Sequence, residues 1–217
     1  MVTGTPDGAL YPSRSGAGAA LGGQLVKRTS LPALVLGVTP NGVEVAANAA
    51  KAMGGSFDVI VVAHVRVGDL GIVGAVAEDH AAVLDGDFQP RFGMMDYLDE
   101  AIDKARRAIK TERLLFRGQR PLRSVEGMNV ILVDGQATSP WKLLAAADAV
   151  GEMHPPRVLL SAAVATIDVQ NRIRARRYEF VCPAVVTDPG GHPKPFGDPQ
   201  DPSAERLRSI VVAREAA

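Results

Sequence analysis

The segment VILVDGQATSPW, residues 130–141, combines residue types that together could hold a phosphorylated sugar. Its first residues are apolar and predict a buried strand that ends at Asp134, while Pro140 suits the first turn of a following helix. The small and hydroxyl-bearing residues between them would let backbone amides approach an anion, which the positive end of the helix would also attract. The Asp134 carboxylate could accept hydrogen bonds from sugar hydroxyls. A purely structural interpretation is also open: Asp134 ends a strand, Gly135 makes a turn and Ser139 caps the helix.

The loop VTPNG, residues 38–42, is the second stretch that could contact a ligand, because it follows another apolar run. Residues 31–38 predict a buried parallel strand, and residues 41–55 predict a helix that stops at two glycines. In sheets built from alternating strands and helices, ligands bind beyond the carboxyl ends of the strands. We therefore expect the loops 38–42 and 135–139 to lie at the same edge of one sheet.

The rest of the chain also alternates strands with helices. This alternation predicts an α/β fold with a mostly parallel, Rossmann-like sheet, helices on both faces and a small hairpin. Further strands are predicted at 57–65, 130–134, 157–165 and 180–186, hairpin strands at 71–79 and 81–87, and helices at 94–115, 140–151 and 168–177. The Pro- and Gly-rich stretch 187–202 predicts irregular chain, followed by a short strand or helix.

The segment 130–141 resembles the signature with which type I phosphoribosyltransferases bind phosphoribosyl pyrophosphate (PRPP): apolar residues, two adjacent acids and a small-residue loop with threonine. Four other stretches resemble successive blocks of the small bacterial members of that family, in the same order: residues 14–28, 34–65, 71–79 and 117–134. The resemblance implies the type I phosphoribosyltransferase fold. It further implies a phosphoribosyltransferase-like domain at 11–187, a flexible N-terminus at 1–10 and a C-terminal segment at 188–217 with a short element at its end.

The resemblance also implies a role for each residue of the two loops. Asp134 would hold the ribose hydroxyls of PRPP, and Arg66, in a mobile hood that closes over the site, would act with it in catalysis. The 5′-phosphate would lie in the loop formed by Gly135, Gln136, Ala137, Thr138 and Ser139. The pyrophosphate would meet the loop formed by Thr39, Pro40, Asn41 and Gly42. The family's reaction displaces Mg²⁺-bound pyrophosphate from the anomeric carbon by positioning and charge stabilisation, so Mg²⁺ is the implied cofactor.

Several positions depart from the family pattern. Asp134 stands alone where the signature has two acids, Pro40 replaces a cation and has no backbone N–H, and Trp141 replaces a hydroxyl-bearing residue. His64 stands near the position of an expected lysine, which Arg66 could replace. Loss of one preorganised donor typically lowers a rate by on the order of 10²–10³. Two functions follow: binding of PRPP or a related sugar phosphate with little transfer, or a catalytically inactive protein of this fold that acts as a ligand sensor or assembly partner.

The composition limits the function further. The chain has 217 residues, with 24 basic and 24 acidic side chains and 47% hydrophobic residues, which is typical of a soluble globular protein. The zero net charge argues against binding to nucleic acid or to an anionic membrane. We find no signal peptide and no apolar run that could span a membrane, so we expect a cytoplasmic protein. The single Cys182 excludes an internal disulfide, and no histidine spacing predicts a metal site.

The polar face of the helix 94–115 is basic and includes Arg106, Arg107, Lys110 and Arg113. Few aromatic residues accompany them, so we interpret this face as solvated rather than as a nucleic-acid site, and as a surface that could dock an acidic protein. Because members of the family often form dimers, the resemblance implies a homodimer or an assembly with a partner protein. The acceptor of the phosphoribosyl group, a nucleobase or another compound, is not identified by the sequence.

Overall fold

A computed structural model describes residues 8–30, 32–88, 94–187, 194–198 and 200–215. Within this part of the chain, six strands form one parallel sheet: β1 (Ala33–Val38), β2 (Ser56–Ile60), β6 (Asn129–Ala137), β7 (Arg157–Thr166), β8 (Phe180–Val181) and β9 (Ala184–Val186). Their order is β2-β1-β6-β7-β8, with β9 also paired to β7. Strands β1, β6 and β7 are almost continuously apolar because both faces of the sheet are covered.

Helices cover the sheet on both faces, as the sequence predicts. The helices are α1 (Arg14–Leu25), α2 (Val43–Met53), α3 (Met95–Arg117), α4 (Trp141–Gly151), α5 (Ile167–Ala175) and α6 (Ala204–Glu215). Apolar side chains of α1, α2 and α6 share one core with the sheet, and those of α4 and α5 share the other. The predicted fold class, α/β with a mostly parallel sheet, is therefore confirmed.

A second, antiparallel sheet forms the predicted hood. It consists of β3 (Val62–Val67), β4 (Gly71–Ala77) and β5 (Ala82–Leu84), with a single 3-10 turn at Gly68–Leu70. Helix α3 packs on this sheet through Leu98, Ala105 and Ile109, which the sequence places on its apolar stripe. The hood is thus a hairpin extended by a third strand and fixed to the longest helix.

The single strand predicted at 57–65 is wrong, because the chain changes sheets at Val61. Both backbone groups of Val61 are bonded to Glu78: its N–H donates to Glu78 Oε1 at 3.0 Å, and its carbonyl accepts from the Glu78 N–H at 3.0 Å. These bonds to Glu78 separate the parallel β2 from the antiparallel β3. The strand predicted at 180–186 is also divided, at Pro183, which has no N–H to donate to a ladder.

The basic series after residue 105 is only partly a solvated face. Arg106 and Lys110 are exposed as predicted. Arg113 instead pairs with Asp79 at 3.0 Å, and Arg117 forms a buried ion pair with Glu78. Arg120, in the loop after α3, donates two hydrogen bonds of 2.7 and 2.9 Å to the buried Asp58 carboxylate. Much of the basic charge therefore attaches α3 and its loop to the hood and to β2.

The C-terminal part of the chain returns to the N-terminus. Tyr11 forms a parallel bridge with Phe196, and its hydroxyl donates to the carbonyl of Ala163 in β7 at 3.2 Å. Leu207 and Val211 of α6 are buried in the core that contains α2. The short terminal element is therefore a helix, while the predicted boundary at 187/188 and most of the predicted flexible segment 1–10 lie outside the described residues.

Candidate phosphate-binding site at the carboxyl edge of the sheet

Strand β6 does not end at Asp134, as the sequence predicts, but continues for three more residues. Asp134, Gln136 and Ala137 remain paired with Ala162, Val164 and Ala165 of β7. The predicted five-residue loop is thus shortened to a bend at 138–140 before α4. The phosphate-binding roles predicted for Gly135, Gln136, Ala137, Thr138 and Ser139 stay predictions, and of these only Thr138 is exposed.

The continuation of β6 follows from close packing against the loop 38–42. A Cβ atom on Gly135 would lie 2.4 Å from the carbonyl oxygen of Asn41, and one on Gly42 would lie 2.0 Å from the carbonyl oxygen of Val133. Both distances are too short for any side chain, so glycine at each position lets the two backbones touch. Gly135, which the sequence assigns to a phosphate-binding loop, therefore allows the backbones of the two predicted loops to come into contact.

Thr39 connects the loop 38–42 to three other elements. Its side chain is fully buried, and its hydroxyl donates to Glu112 Oε2 of α3 at 2.8 Å. Its carbonyl oxygen accepts a hydrogen bond from Lys142 Nζ of α4 at 2.7 Å. The Val62 N–H of the hood approaches the Thr39 hydroxyl oxygen at 3.4 Å. These three hydrogen bonds hold the loop 38–42 against α3, α4 and the hood. The Thr39–Pro40 peptide bond is cis.

Asp134 lies buried at the carboxyl edge of the sheet, with 5% of its surface exposed. Burial raises the pKa of its carboxyl to about 6, against the opposing effects of the Lys142 charge and of the Gln136 and Gly135 amides. Within the described chain, its Oδ1 atom has no hydrogen-bond partner. An unpaired buried acceptor is rare and unfavourable, so this oxygen has the capacity to accept a hydrogen bond from a ligand.

Lys142 is the functional candidate that sequence reasoning missed. Burial lowers the pKa of its ammonium, the charges of Asp134 and Glu112 oppose that effect, and Arg66 reinforces it. Lys142 therefore interacts electrostatically with two acids and with the predicted hood arginine. One signal could have identified it: it is the second residue of α4, where the helix dipole disfavours a cation.

The hood contributes His64 and Arg66 from β3. Burial lowers the pKa of His64 to about 3, and the charges of Lys142 and Arg66 add to this effect. The imidazole is therefore neutral at physiological pH, and in the described chain its buried Nε2 atom has no hydrogen-bond partner. The predicted catalytic residues Asp134 and Arg66 both act electrostatically on Lys142. Lys142 therefore interacts with one charged group at the sheet edge and with one on the hood.

Trp141 and Pro40, two departures from the family pattern, have clear packing roles. The Trp141 ring is buried in the core with Leu144, and the guanidinium carbon of Arg172 lies 5.8 Å from the ring centroid. The carbonyl of Pro40 accepts the Val43 N–H at 3.3 Å as α2 begins. Trp141 therefore joins α4 to α5, and Pro40 forms part of the turn that starts α2.

The side chains at this edge do not fit a metal held by the protein. Across the residues that the structure describes, no three His, Cys, Asp or Glu side chains come together in a way that could bind a metal. Mg²⁺ prefers oxygen ligands and is usually held by one or two carboxylates and the ligand's phosphates. Here the Asp134 carboxylate interacts with the Lys142 ammonium, which would repel such an ion. The Mg²⁺ implied by the resemblance stays a prediction.

Comparison with proteins of known structure supports the fold. No model of a protein family matches the chain, and no curated protein matches it. The crystal structure of TT1426 from Thermus thermophilus is similar, with 27% identity, a TM-score of 0.77, and coverage of 94% of this chain and 98% of that chain. A hypothetical protein from Neisseria gonorrhoeae, solved with bound ppGpp, has 12% identity and a TM-score of 0.53, with 92% of each chain covered.

A purine phosphoribosyltransferase from Pyrococcus horikoshii also matches, with 13% identity and a TM-score of 0.48, over 86% of this chain and 89% of that chain. The matches to TT1426 and to the Neisseria gonorrhoeae protein extend over more than nine-tenths of this chain, and they agree with the α/β fold class predicted from the sequence. Among the helices of the described residues, none combines the length and the apolar character needed to cross a membrane.

Proposed function

We propose that this protein binds a phosphorylated ribose, PRPP or a related sugar phosphate or nucleotide, between Asp134, Lys142 and the loop 38–42. The observation that carries the proposal is the unpaired Oδ1 atom of the buried Asp134 beside the half-buried Lys142. A carboxylate oxygen accepts hydrogen bonds from ribose hydroxyls, and an ammonium donates to phosphate oxygens. Both groups lie at the carboxyl edge of a parallel sheet, where ligands of such folds bind.

The resemblance to phosphoribosyltransferases and the comparisons support the ligand class. The segment 130–141 carries the family's apolar run, one of its acids and its threonine at the expected place. The Neisseria gonorrhoeae protein of the same fold was solved with bound ppGpp, which favours a nucleotide or a similar phosphate ester. The exposed Arg66 on the hood, whose charge acts on Lys142, would be a second cation for a phosphate.

Transfer of the phosphoribosyl group is the first of two candidate outcomes of binding. Lys142 bonds to the loop at Thr39, directly before the proline that replaces the family's cation. In the reaction, an acceptor would form a bond to the anomeric carbon and release its proton to solvent, while the bond from that carbon to pyrophosphate breaks and its electron pair leaves with the pyrophosphate. Lys142 and Arg66 would offset the leaving group's charge, and Asp134 would orient the ribose.

The second candidate is a ligand sensor without transfer activity. Strand β6 continues through Ala137 and leaves only a bend at 138–140 of the predicted phosphate loop, and only one of the signature's two acids is present. Such a protein would bind the same ligand class and pass the signal to a partner or a second copy. Release of pyrophosphate from PRPP in the presence of candidate acceptors would distinguish the two outcomes.

Calorimetric titration with PRPP and with ribose 5-phosphate tests the binding proposal. We expect saturable binding that weakens about tenfold or more in Asp134→Asn, because loss of a charged hydrogen-bond acceptor costs about 1.5–3 kcal/mol. Asp99→Asn, on the exposed side of α3, is the matched control and should bind like the wild type. If neither ligand binds the wild-type protein at millimolar concentration, the proposal is wrong.

A further inference from the structure

We propose that the ammonium of Lys142 takes the place of a divalent cation, so that the site binds its phosphate ligand without Mg²⁺. The inference rests on the proposed sugar-phosphate function and concerns how the ligand's charge is neutralised. It starts from one contact, the hydrogen bond of 2.7 Å from Lys142 Nζ to the carbonyl oxygen of Thr39.

This contact places a cation where the loop itself offers none. Thr39 directly precedes Pro40, which has neither a charged side chain nor a backbone N–H. An ammonium has three donors, and the Thr39 carbonyl uses one of them. The remaining donors of Lys142 are available for Asp134 and for phosphate oxygens of a ligand.

Contacts with the surrounding elements hold the ammonium of Lys142 in position. Thr39, the acceptor, is itself held by Glu112 through a hydrogen bond of 2.8 Å. Asp134 and Glu112 both stabilise the charged form of Lys142. A cation held in this way is preorganised for an anionic ligand and does not need to be recruited from solution.

The Lys142 ammonium would repel a divalent cation that approached the same place. The groups that face Lys142 are the acids Asp134 and Glu112, the cation Arg66 and the neutral His64. Two acids and two cations already balance, so no net negative charge remains to attract a divalent ion. Mg²⁺ also requires near-octahedral oxygen coordination, and Asp134, which interacts with the Lys142 charge and with two backbone amides, has only its Oδ1 atom unpaired in the described chain.

Titration of the wild-type protein with PRPP in excess EDTA and in millimolar Mg²⁺ tests the inference without any variant. We expect dissociation constants that agree within about threefold in the two media, a difference below about 0.7 kcal/mol. Binding that appears only with Mg²⁺ would overturn the inference and leave the proposed function intact. Failure to bind in both media would overturn the proposed function, and the inference with it.

The Lys142→Met variant tests whether the Lys142 ammonium contacts the ligand or only neutralises the charge of Asp134. We expect this variant to lose about tenfold or more of its PRPP affinity in EDTA and to regain part of it with Mg²⁺, because the repelling charge is gone. An equal loss in both media would indicate a purely structural role and contradict the inference. Lys51→Met, which removes an exposed lysine of α2, should change neither value.

Discussion

Gly135 lies so close to Asn41 that a Cβ atom on the glycine would be 2.4 Å from the Asn41 carbonyl oxygen. This contact joins the two segments that carry the candidate site, the end of β6 and the loop 38–42. The backbones of the two segments are therefore in direct contact. Any change in the distance between them moves Thr39 and therefore the hydrogen-bond acceptor of Lys142.

Gly135→Ala should destabilise the protein, because the methyl group has no room beside a carbonyl oxygen that is fixed in a turn. Overpacking of this kind costs about 1–3 kcal/mol of the free energy of unfolding. Urea denaturation followed by circular dichroism measures it. Gly23→Ala is the matched control: Gly23 is exposed on α1, with no atom within 4 Å of the added methyl, and the change should be neutral or stabilising. Equal stability of the two variants would contradict the proposed contact.

The fold could be predicted from local patterns where those patterns depend only on neighbouring residues. The apolar runs of β1, β6 and β7 and the amphipathic stripe of α3 are of this kind, because burial on one or both faces determines residue type directly. The change of sheet at Val61 was missed because it depends on Glu78, which is 17 residues away in sequence. No pattern within 57–65 reveals that partner.

The position of the candidate site could be predicted in part, and the parts that were missed depend on contacts between residues distant in sequence. Asp134 and the loop 38–42 could be located because the carboxyl ends of parallel strands meet at one edge. Lys142 was missed because its role depends on the direction in which the first turn of α4 faces Thr39. The function of Gly135 was missed because a contact between backbones is not visible in residue types, and a glycine near an anion site is equally consistent with ligand binding.

Asp134 should give the stability of the protein a pH dependence that its replacement removes. The pKa of this carboxyl is raised from 3.8 to about 6 in the folded protein by burial. Between these values the folded state keeps a proton that the unfolded state has released, so the free energy of unfolding falls as the pH rises through this window. Relative to the wild type, Asp134→Asn should therefore gain about 2–3 kcal/mol between about pH 4 and pH 7.

Urea denaturation of both proteins over this pH range tests the Asp134 prediction. The exposed Asp99→Asn variant, whose side chain lies on α3, controls for the general loss of one acid. A stability difference between Asp134→Asn and the wild type that stays constant with pH would show that the Asp134 carboxyl titrates in the folded protein as it does in the unfolded chain.

His64 should remain neutral in the folded protein well below the pH at which an ordinary histidine takes up a proton. Its pKa is lowered to about 3 by burial and by the charges of Lys142 and Arg66. The unfolded chain takes up a proton near pH 6.5, so His64 makes stability fall as the pH drops below that value. Imidazole nuclear magnetic resonance (NMR) signals, assigned with His64→Gln, should show no titration of His64 above about pH 4.5 in the native protein. A native midpoint near that of the urea-unfolded chain would contradict this prediction.

Glu78 and Arg117 should contribute to stability mainly because each prevents the other from being buried alone. Their side chains are only 8% and 1% exposed, and in the described chain the Nε and Nη1 atoms of Arg117 have no other partner. Glu78→Gln keeps the shape and an oxygen for the Val61 N–H but leaves the arginine charge uncompensated, which costs about 3–5 kcal/mol. The exposed pair of Asp103 and Arg106, at 3.5 Å, provides the control, since Asp103→Asn should cost less than about 1 kcal/mol. Similar losses in both variants, measured by urea denaturation, would mean that the Arg117 charge reaches water in the folded protein.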